Sequence, residues 1–272
     1  MKLRRGNLYN RFLYNLNLPH FLFHLLRPYS TMTFGQKIIH KAKFDNRMLL
    51  TKFADKVEIK DRVAELIGFK YVVPNYKVVD DSRDLELSKY PREFVLKPSH
   101  ASGAGFMIHE GAQRTTKPLS NNESTWIPYY EIHPDDLEIN EEFIKEKSDG
   151  WLNSVYAPKK EYCYAAIPPK LIVEKYLKLS QGRIPQDFRF YTFKGKVKFF
   201  RVLSGISSTS AKFAYDEFGN PLEIKFKGET LEFQGHHPAL PEQYKKMITF
   251  AEILASRVDF VRVDFYYVDD QI

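Results

Sequence analysis

Four groups of residues have the types and spacing to do chemistry. The first is Lys97 with the small-residue loop Ser99-His100-Ala101-Ser102-Gly103-Ala104-Gly105. A strand-end ammonium can pair with a phosphate while backbone N–H groups wrap it. The order G-x-x-x-x-G-K-[ST] is absent, so this is no Walker loop, and an ordinary hairpin would read the same. The second is Glu174-Lys175-Tyr176-Leu177, which follows the apolar Leu171-Ile172-Val173. A strand leaving a core into a short linker offers backbone groups to an adenine edge, with Tyr176 and Leu177 walling the ring. Solvated charges at a strand end are the plainer alternative.

The third is DFRFY, where a period of two puts Asp187, Arg189 and Tyr191 on one face and Phe188 and Phe190 on the other. A carboxylate and a guanidinium two apart can hold ribose hydroxyls and a phosphate, or can line a solvated strand face. The fourth is VRVDFYYV, with Arg262 and Asp264 opposite the apolar Val261, Val263, Phe265 and Tyr267. Arginine suits phosphate, and aspartate suits Mg2+, which takes oxygen ligands and bridges phosphates. A surface ion pair is again the alternative. The histidines have no metal-ligand spacing, and no Ser-His-Asp order can be defended.

The elements that must position these groups are those of a mixed fold. Residues 55–68 predict a helix, with Asp55 and Glu58 at capping-box spacing, an Ile59-Val63-Leu66-Ile67 stripe and Gly68 as its close. YVVP and YKVVD are strand-like, and residues 93–110 read as strand, loop, strand. Residues 112–150 are polar and predict surface helices around Trp126 and Glu141–Lys147. From residue 168, PPKLIVEKYL, DFRFYTF and KVKFFRVL follow as strands, with Lys194-Gly195 turning the last two into a hairpin. Residues 213–235 predict another hairpin around Gly219-Asn220. Residues 242–257 form an amphipathic helix that feeds the strand at 260–268.

Composition sets the outer limits. The 272 residues are 43% hydrophobic and 15% aromatic, which excludes disorder over most of the length and favours strands over a helical bundle. The net charge of +7 permits a polyanionic partner without naming one. The basic residues are spread rather than gathered in a stripe, so nucleic acid is not an expected partner. The single Cys163 excludes an intramolecular disulfide framework and fits a reducing, cytoplasmic home. Residues 1–30 are basic and aromatic, too interrupted for a membrane helix, and predict short helices, with peripheral contact at the inner membrane surface as a second reading.

Taken in order, the four groups resemble an ATP-grasp enzyme, and more narrowly the TupA-like branch, named for a protein of teichuronopeptide synthesis. The matching text is TFGQKI (33–38), ADKVEIKDRVAELIG (54–68), FVLKPSHASGAG (94–105), KKEYCYAAIPPKLIVEKYL (159–177), DFRFYTFKGKVKFF (187–200) and FVRVDFY (260–266). The resemblance implies an α+β ATP-grasp fold in which two α+β subdomains grip the nucleotide. Its divisions fall at 1–30 (basic, aromatic helical segment), 31–92 (α/β portion), 93–170 (lid subdomain) and 171–272 (C-terminal subdomain). It implies ATP and Mg2+ as cofactors. Lys97 would bind phosphate, with Ser102 and Gly103 in a lid over it. Glu174, Lys175, Tyr176 and Leu177 would form the adenine hinge. Asp187 would hold ribose, Arg189 and Arg262 the phosphates, and Asp264 the metal, with Arg262 and Lys97 acting in catalysis.

The implied reaction joins a carboxylate to an amine through an acyl phosphate, in cell-surface polysaccharide synthesis, with an acidic glycan or an amino-acid or peptide substrate. A phosphotransferase on a glycan hydroxyl and a non-catalytic nucleotide- or glycan-binding module are the alternatives. Two departures stand out. The family continues past its metal aspartate through a tight turn into a strand bearing a second metal-binding glutamate, whereas this sequence stops at Ile272, where that turn begins. The expectation is a truncated last strand, weak magnesium binding and an uncovered edge at 260–268. Residues 203–212 also lack the basic residue expected after the hairpin, apart from Lys212. Asp55-Lys56 is a family hallmark, although the capping box accounts for Asp55.

Overall fold

The computed structural model describes residues 29–45, 47–120, 125–126, 129–156, 161–178, 185–204, 211–224 and 237–272. The amino-terminal segment 1–28 and most of the 203–212 stretch lie outside them, and so does most of the second half of the 213–235 hairpin.

Three helices open the described chain: α1 (Phe34–Phe44), α2 (Met48–Ala54) and α3 (Glu58–Ile67). Thr33 caps α1 in a capping box with Gln36. The capping box expected at Asp55 does not form. Val57 is the N-cap of α3, while Asp55 closes α2, its N–H bonded to the Thr51 carbonyl at 2.9 Å. The Asp55 carboxylate accepts from the Val57 N–H at 2.8 Å, making the corner between the two helices. Gly68 ends α3 at φ +111°. The YVVP segment is no strand, because Phe69–Tyr71 makes a 3-10 turn instead.

The first sheet comprises β1 (Asn75–Val79), β2 (Phe94–Pro98), β3 (Phe106–Ile108), β4 (Tyr130–Ile132) and β5 (Leu171–Lys175), in the order β1-β5-β2-β3-β4. All its pairs are antiparallel except β3 with β4. Phe94, Leu96, Phe106, Ile108 and Val173 bury one face against α4 (Leu137–Leu152), which contributes Phe143, Ile144 and Trp151. The helix expected near Glu141–Lys147 is therefore no surface helix. Its sequence is polar on the outer side only, and Phe143, Ile144, Lys147, Ser148 and Trp151 are buried. A short helix, α5 (Tyr162–Ala165), precedes β5.

The second sheet comprises β6 (Gln186–Phe193), β7 (Lys196–Ser204), β8 (Ala211–Asp216), β9 (Pro221–Leu222) and β10 (Phe260–Tyr267), in the antiparallel order β10-β6-β7-β8-β9. The β6–β7 turn has Lys194 and Gly195 at φ 50° and 73°, the positive-φ pair that a two-residue hairpin requires. Helix α6 (Tyr244–Ala255) packs Met247, Ala251 and Leu254 on Phe188, Phe190, Phe200 and Phe265. Val63, Leu66 and Ile67 of α3 join this second core, so the predicted stripe does pack. Strand β10 lies at the edge of the sheet. Beyond it, Asp269 and Asp270 adopt positive φ, and Val268 and Gln271 exchange two hydrogen bonds at 2.9 and 2.8 Å. A tight turn forms there and brings Gln271 back alongside Val268. No helix among the described residues is long and apolar enough to cross a membrane.

Candidate functional site

Register in the first sheet fixes one half of the site. Lys97 pairs with Ile172 and Glu174 with Val95, so Lys97 and Glu174 are diagonal neighbours on one face. Their side chains form an ion pair, and Lys60 of α3 reaches the other carboxylate oxygen at 2.8 Å. Burial alone would raise the Glu174 pKa, but the Lys97 and Lys60 ammoniums outweigh it and hold the carboxyl below its ordinary value. Lys60 also donates to the Val73 carbonyl at 2.8 Å and to the Asn75 side chain. A third ammonium, Lys56, donates to the carbonyls of Ser99 and Ala101. Burial and the neighbouring Lys97 push its pKa down to about 8, against the opposing pull of Glu174 and Asp55.

The small-residue loop is anchored at its base and open at its tip. Ser99, His100 and Ala101 are buried. Ser99 N–H donates to the Lys170 carbonyl at 2.8 Å, and His100 Nε2 lies 3.0 Å from the Trp151 carbonyl. Burial lowers the His100 pKa, which favours a neutral ring. Gly103 carries φ +73° and a Cβ there would meet nothing within 4 Å. Ser102 lies by the phenols of Tyr164, on its side-chain side, and Tyr156, on its backbone side, both raised by burial. Within the loop only this tip, Ser102-Gly103, is exposed.

The second sheet supplies the other half. Cross-strand pairs Arg262↔Tyr191, Asp264↔Arg189 and Tyr266↔Asp187 place six polar-ended side chains on one face of β10 and β6. Arg262 grips Asp264 with Nε at 2.8 Å and Nη2 at 2.7 Å. Arg189 grips Asp187 at 2.8 and 2.7 Å. Burial, with the Asp264 charge nearby, raises the Asp187 pKa despite Arg189. Arg262 stays firmly protonated: burial opposes its charge, but bonding to Asp264 prevails. Arg189 also sits directly opposite Arg201 of β7, which is buried.

Tyr266 is half exposed as a residue, yet burial at its phenol end pushes the group up to about 12, with Asp187, Lys97, Tyr129 and Glu174 also acting on it. Tyr129, beside the base of the loop, is raised to about 12 by burial and Glu174. The structure thus groups the predicted residues in two sets, Lys97 with Glu174 on the first sheet and Asp187, Arg189, Arg262 and Asp264 on one face of the second. It separates the rest of the hinge. Lys175 ends β5, its N–H bonded to the Pro74 carbonyl at 3.0 Å and its side chain exposed. Tyr176 stacks on His109, with ring centroids 4.9 Å apart and planes 4° from parallel, and Leu177 follows outside the strand. Backbone outside the strand pairing therefore begins at Tyr176, since Glu174 lies in a strand flanked by β1 and β2.

Sequence reasoning missed Lys60, Arg201, Tyr129 and Tyr266, and named Lys56 only as part of a family hallmark. Period two from Arg262 and Asp264 reaches Tyr266, and period two from Phe199 reaches Arg201. Lys60 and Lys56 meet Lys97 only through tertiary packing. For a metal, Asp264 and Asp187 offer hard oxygen donors on adjacent strands. That suits Mg2+ shared with phosphate oxygens, although no cluster of three or more candidate ligands occurs among the described residues.

This arrangement, two sheets with a lysine loop on one and an Arg-x-Asp strand on the other, belongs to the ATP-grasp class. The model of the family described as TupA-like ATPgrasp matches residues 36–272, so the chain belongs to the TupA-like ATP-grasp family. Among solved structures, an ATP-grasp ligase, PsnB, complexed with a minimal precursor, is similar at 12% identity with a TM-score of 0.36. The match covers 81% of this chain and 50% of that one, so this chain spans half the length of that relative. No curated protein is matched.

Proposed function

We propose that the chain binds MgATP in the cleft between the two sheets and uses it to join a carboxylate to an amine. The observation that carries this reading is the face that register builds on β10 and β6, where Asp187, Arg189, Arg262 and Asp264 lie together, in a chain of the TupA-like ATP-grasp family whose other sheet carries the Lys97–Glu174 pair. Each functional charge is held by a neighbour: Lys97 by Glu174, Arg189 by Asp187, Arg262 by Asp264. A triphosphate with its metal exchanges these partners, pairing Lys97 and Arg262 with phosphate oxygens. Arg189 serves the phosphates as well, and Asp187 serves ribose. Tyr176 and Leu177 edge the adenine, beside Glu174 and Lys175, and the Ser102-Gly103 tip closes over the phosphates. Bound Mg2+, held by Asp264 with Asp187 nearby, would offset charge on the phosphoryl oxygens.

In the first step a carboxylate oxygen of the acid attacks the γ-phosphorus, and the bond to the bridging oxygen breaks to release ADP. In the second, an amine nitrogen attacks the acyl carbon, phosphate leaves with the carbon–oxygen bonding pair, and the nitrogen loses a proton to solvent. Lys97 and Arg262 act by stabilising charge on the transferred group. Arg201, opposite Arg189 in the β6–β7 register, is the residue we assign to the acid. The acid and amine we infer are an acidic glycan and an amino acid or peptide, which puts the reaction in cell-surface polysaccharide synthesis at the cytoplasmic side of the membrane. The test is ADP release with acids and amines supplied singly and together. Release that needs both supports the ligase. Release on a glycan hydroxyl alone, with a phosphorylated product, would make this a phosphotransferase, and MgATP binding without turnover on any acceptor would make it a binding module.

A further inference from the structure

We propose that Lys60 is a positioning residue that holds the Glu174 carboxylate so that Lys97 can leave it for a triphosphate. This rests on reading the cleft as an MgATP site. Glu174 is buried, and each of its carboxylate oxygens accepts from a different lysine. The two lysines are not equivalent. Lys60 has three acceptors (Glu174, the Val73 carbonyl and Asn75), which uses all three of its N–H bonds. Among the described residues, Glu174 is the one acceptor bonded to Lys97, which leaves Lys97 two donors in hand. One ammonium is therefore locked and the other is exchangeable.

The consequence follows from the cost of a buried charge. If Lys97 turned to a phosphate and nothing else faced Glu174, a buried carboxylate would be left unpaired, and that penalty would be subtracted from nucleotide affinity. Lys60 removes the penalty because its bond to Glu174 does not depend on Lys97. It also ties α3 to β5, so the hinge strand and the helix stay in register while Lys97 exchanges partners. Removing the Lys60 charge should make Glu174 compete with phosphate for Lys97. Removing the carboxylate as well should end that competition.

The experiment is calorimetric titration of MgATP into the wild type, Lys60→Met, Lys60→Arg, Glu174→Gln and the double variant Lys60→Met/Glu174→Gln, with the melting temperature of each recorded. Coupling within a buried charge network predicts that Lys60→Met weakens binding about tenfold and that Lys60→Arg restores it to within about threefold of the wild type. The double variant should recover most of the loss, and Glu174→Gln alone should bind at least as tightly as the wild type. A lysine that merely held the fold would lower the melting temperature without this reversal. Equal affinity in Lys60→Met and the wild type overturns the inference, as does a double variant no better than Lys60→Met. If Lys60→Met does not fold, weak binding by Glu174→Gln overturns it. A wild type that does not bind MgATP overturns the nucleotide reading itself, and this inference with it.

Discussion

In the variant Gly105→Ala the added Cβ would lie 2.5 Å from Tyr129 Cε1, 3.0 Å from its Cδ1 and 2.8 Å from the Leu96 carbonyl oxygen. The first two contacts involve a side chain that can swing. The third involves the backbone of β2, which is paired on both sides with β3 and β5 and cannot yield without parting the sheet. Overpacking of this kind costs about 1–3 kcal/mol. For a chain of this size each kcal/mol lowers the melting point by about 2–4 °C, giving a fall of about 2–12 °C. Gly103→Ala is the control. Its Cβ meets nothing within 4 Å, and only φ +73° opposes it, a backbone cost of about 1–2 kcal/mol. Differential scanning calorimetry of both variants with and without MgATP separates the two effects. Gly105→Ala should melt lower and, by displacing Tyr129 from the cleft, lose part of its nucleotide response. Gly103→Ala should lose less stability. An unchanged melting point in Gly105→Ala, or a larger fall in Gly103→Ala, would refute this reasoning.

Other perturbations test the cleft charge by charge. With a folded pKa of about 8 against an ordinary 10.5, Lys56 is deprotonated in the native state before the unfolded one. Stability should therefore rise with pH between about 8 and 10.5, by up to ~3 kcal/mol. Urea unfolding at pH 7.5 and 9.5 should show the wild type gaining on Lys56→Met, and a constant difference would contradict the assignment. Asp264→Ala breaks an exposed pair and should change stability by no more than about 1 kcal/mol, while the Mg2+ dependence of ATP binding falls. An unaltered magnesium titration would remove Asp264 from the metal. Arg201→Leu should keep MgATP binding and lose acid-stimulated ADP release; loss of nucleotide binding instead would place Arg201 with the phosphates.

Much of the second sheet was legible because its strands alternate strongly. Period two put Asp187, Arg189 and Tyr191 on one face and Arg262 with Asp264 on another, and pairing of β6 with β10 made those faces one surface. The lysine loop was legible as a loop, but not its anchorage, since His100 meets Trp151 across 51 residues. The lysine cluster was illegible for a similar reason. Lys60 and Glu174 are 114 residues apart, and a lysine on a short amphipathic helix reads as solvated until the hinge strand is laid against it. Asp55 misled because the spacing to Glu58 satisfies a capping box, whereas the backbone uses Asp55 to end the preceding helix. Polar α4 misled in the same way, with Trp151 wholly buried at its end.

The central claim is that a nucleotide binds between the two sheets through Lys97. Its most direct test is the melting temperature of the wild type and of Lys97→Ala, each with and without MgATP. Lys97→Ala leaves Glu174 paired with Lys60, so the variant should fold. A ligand at about a hundred times its dissociation constant stabilises the native state by about 2.7 kcal/mol, a rise of about 5–10 °C here. That rise is expected in the wild type, and its loss in Lys97→Ala. A wild type that does not respond, or a variant that responds equally, would contradict it.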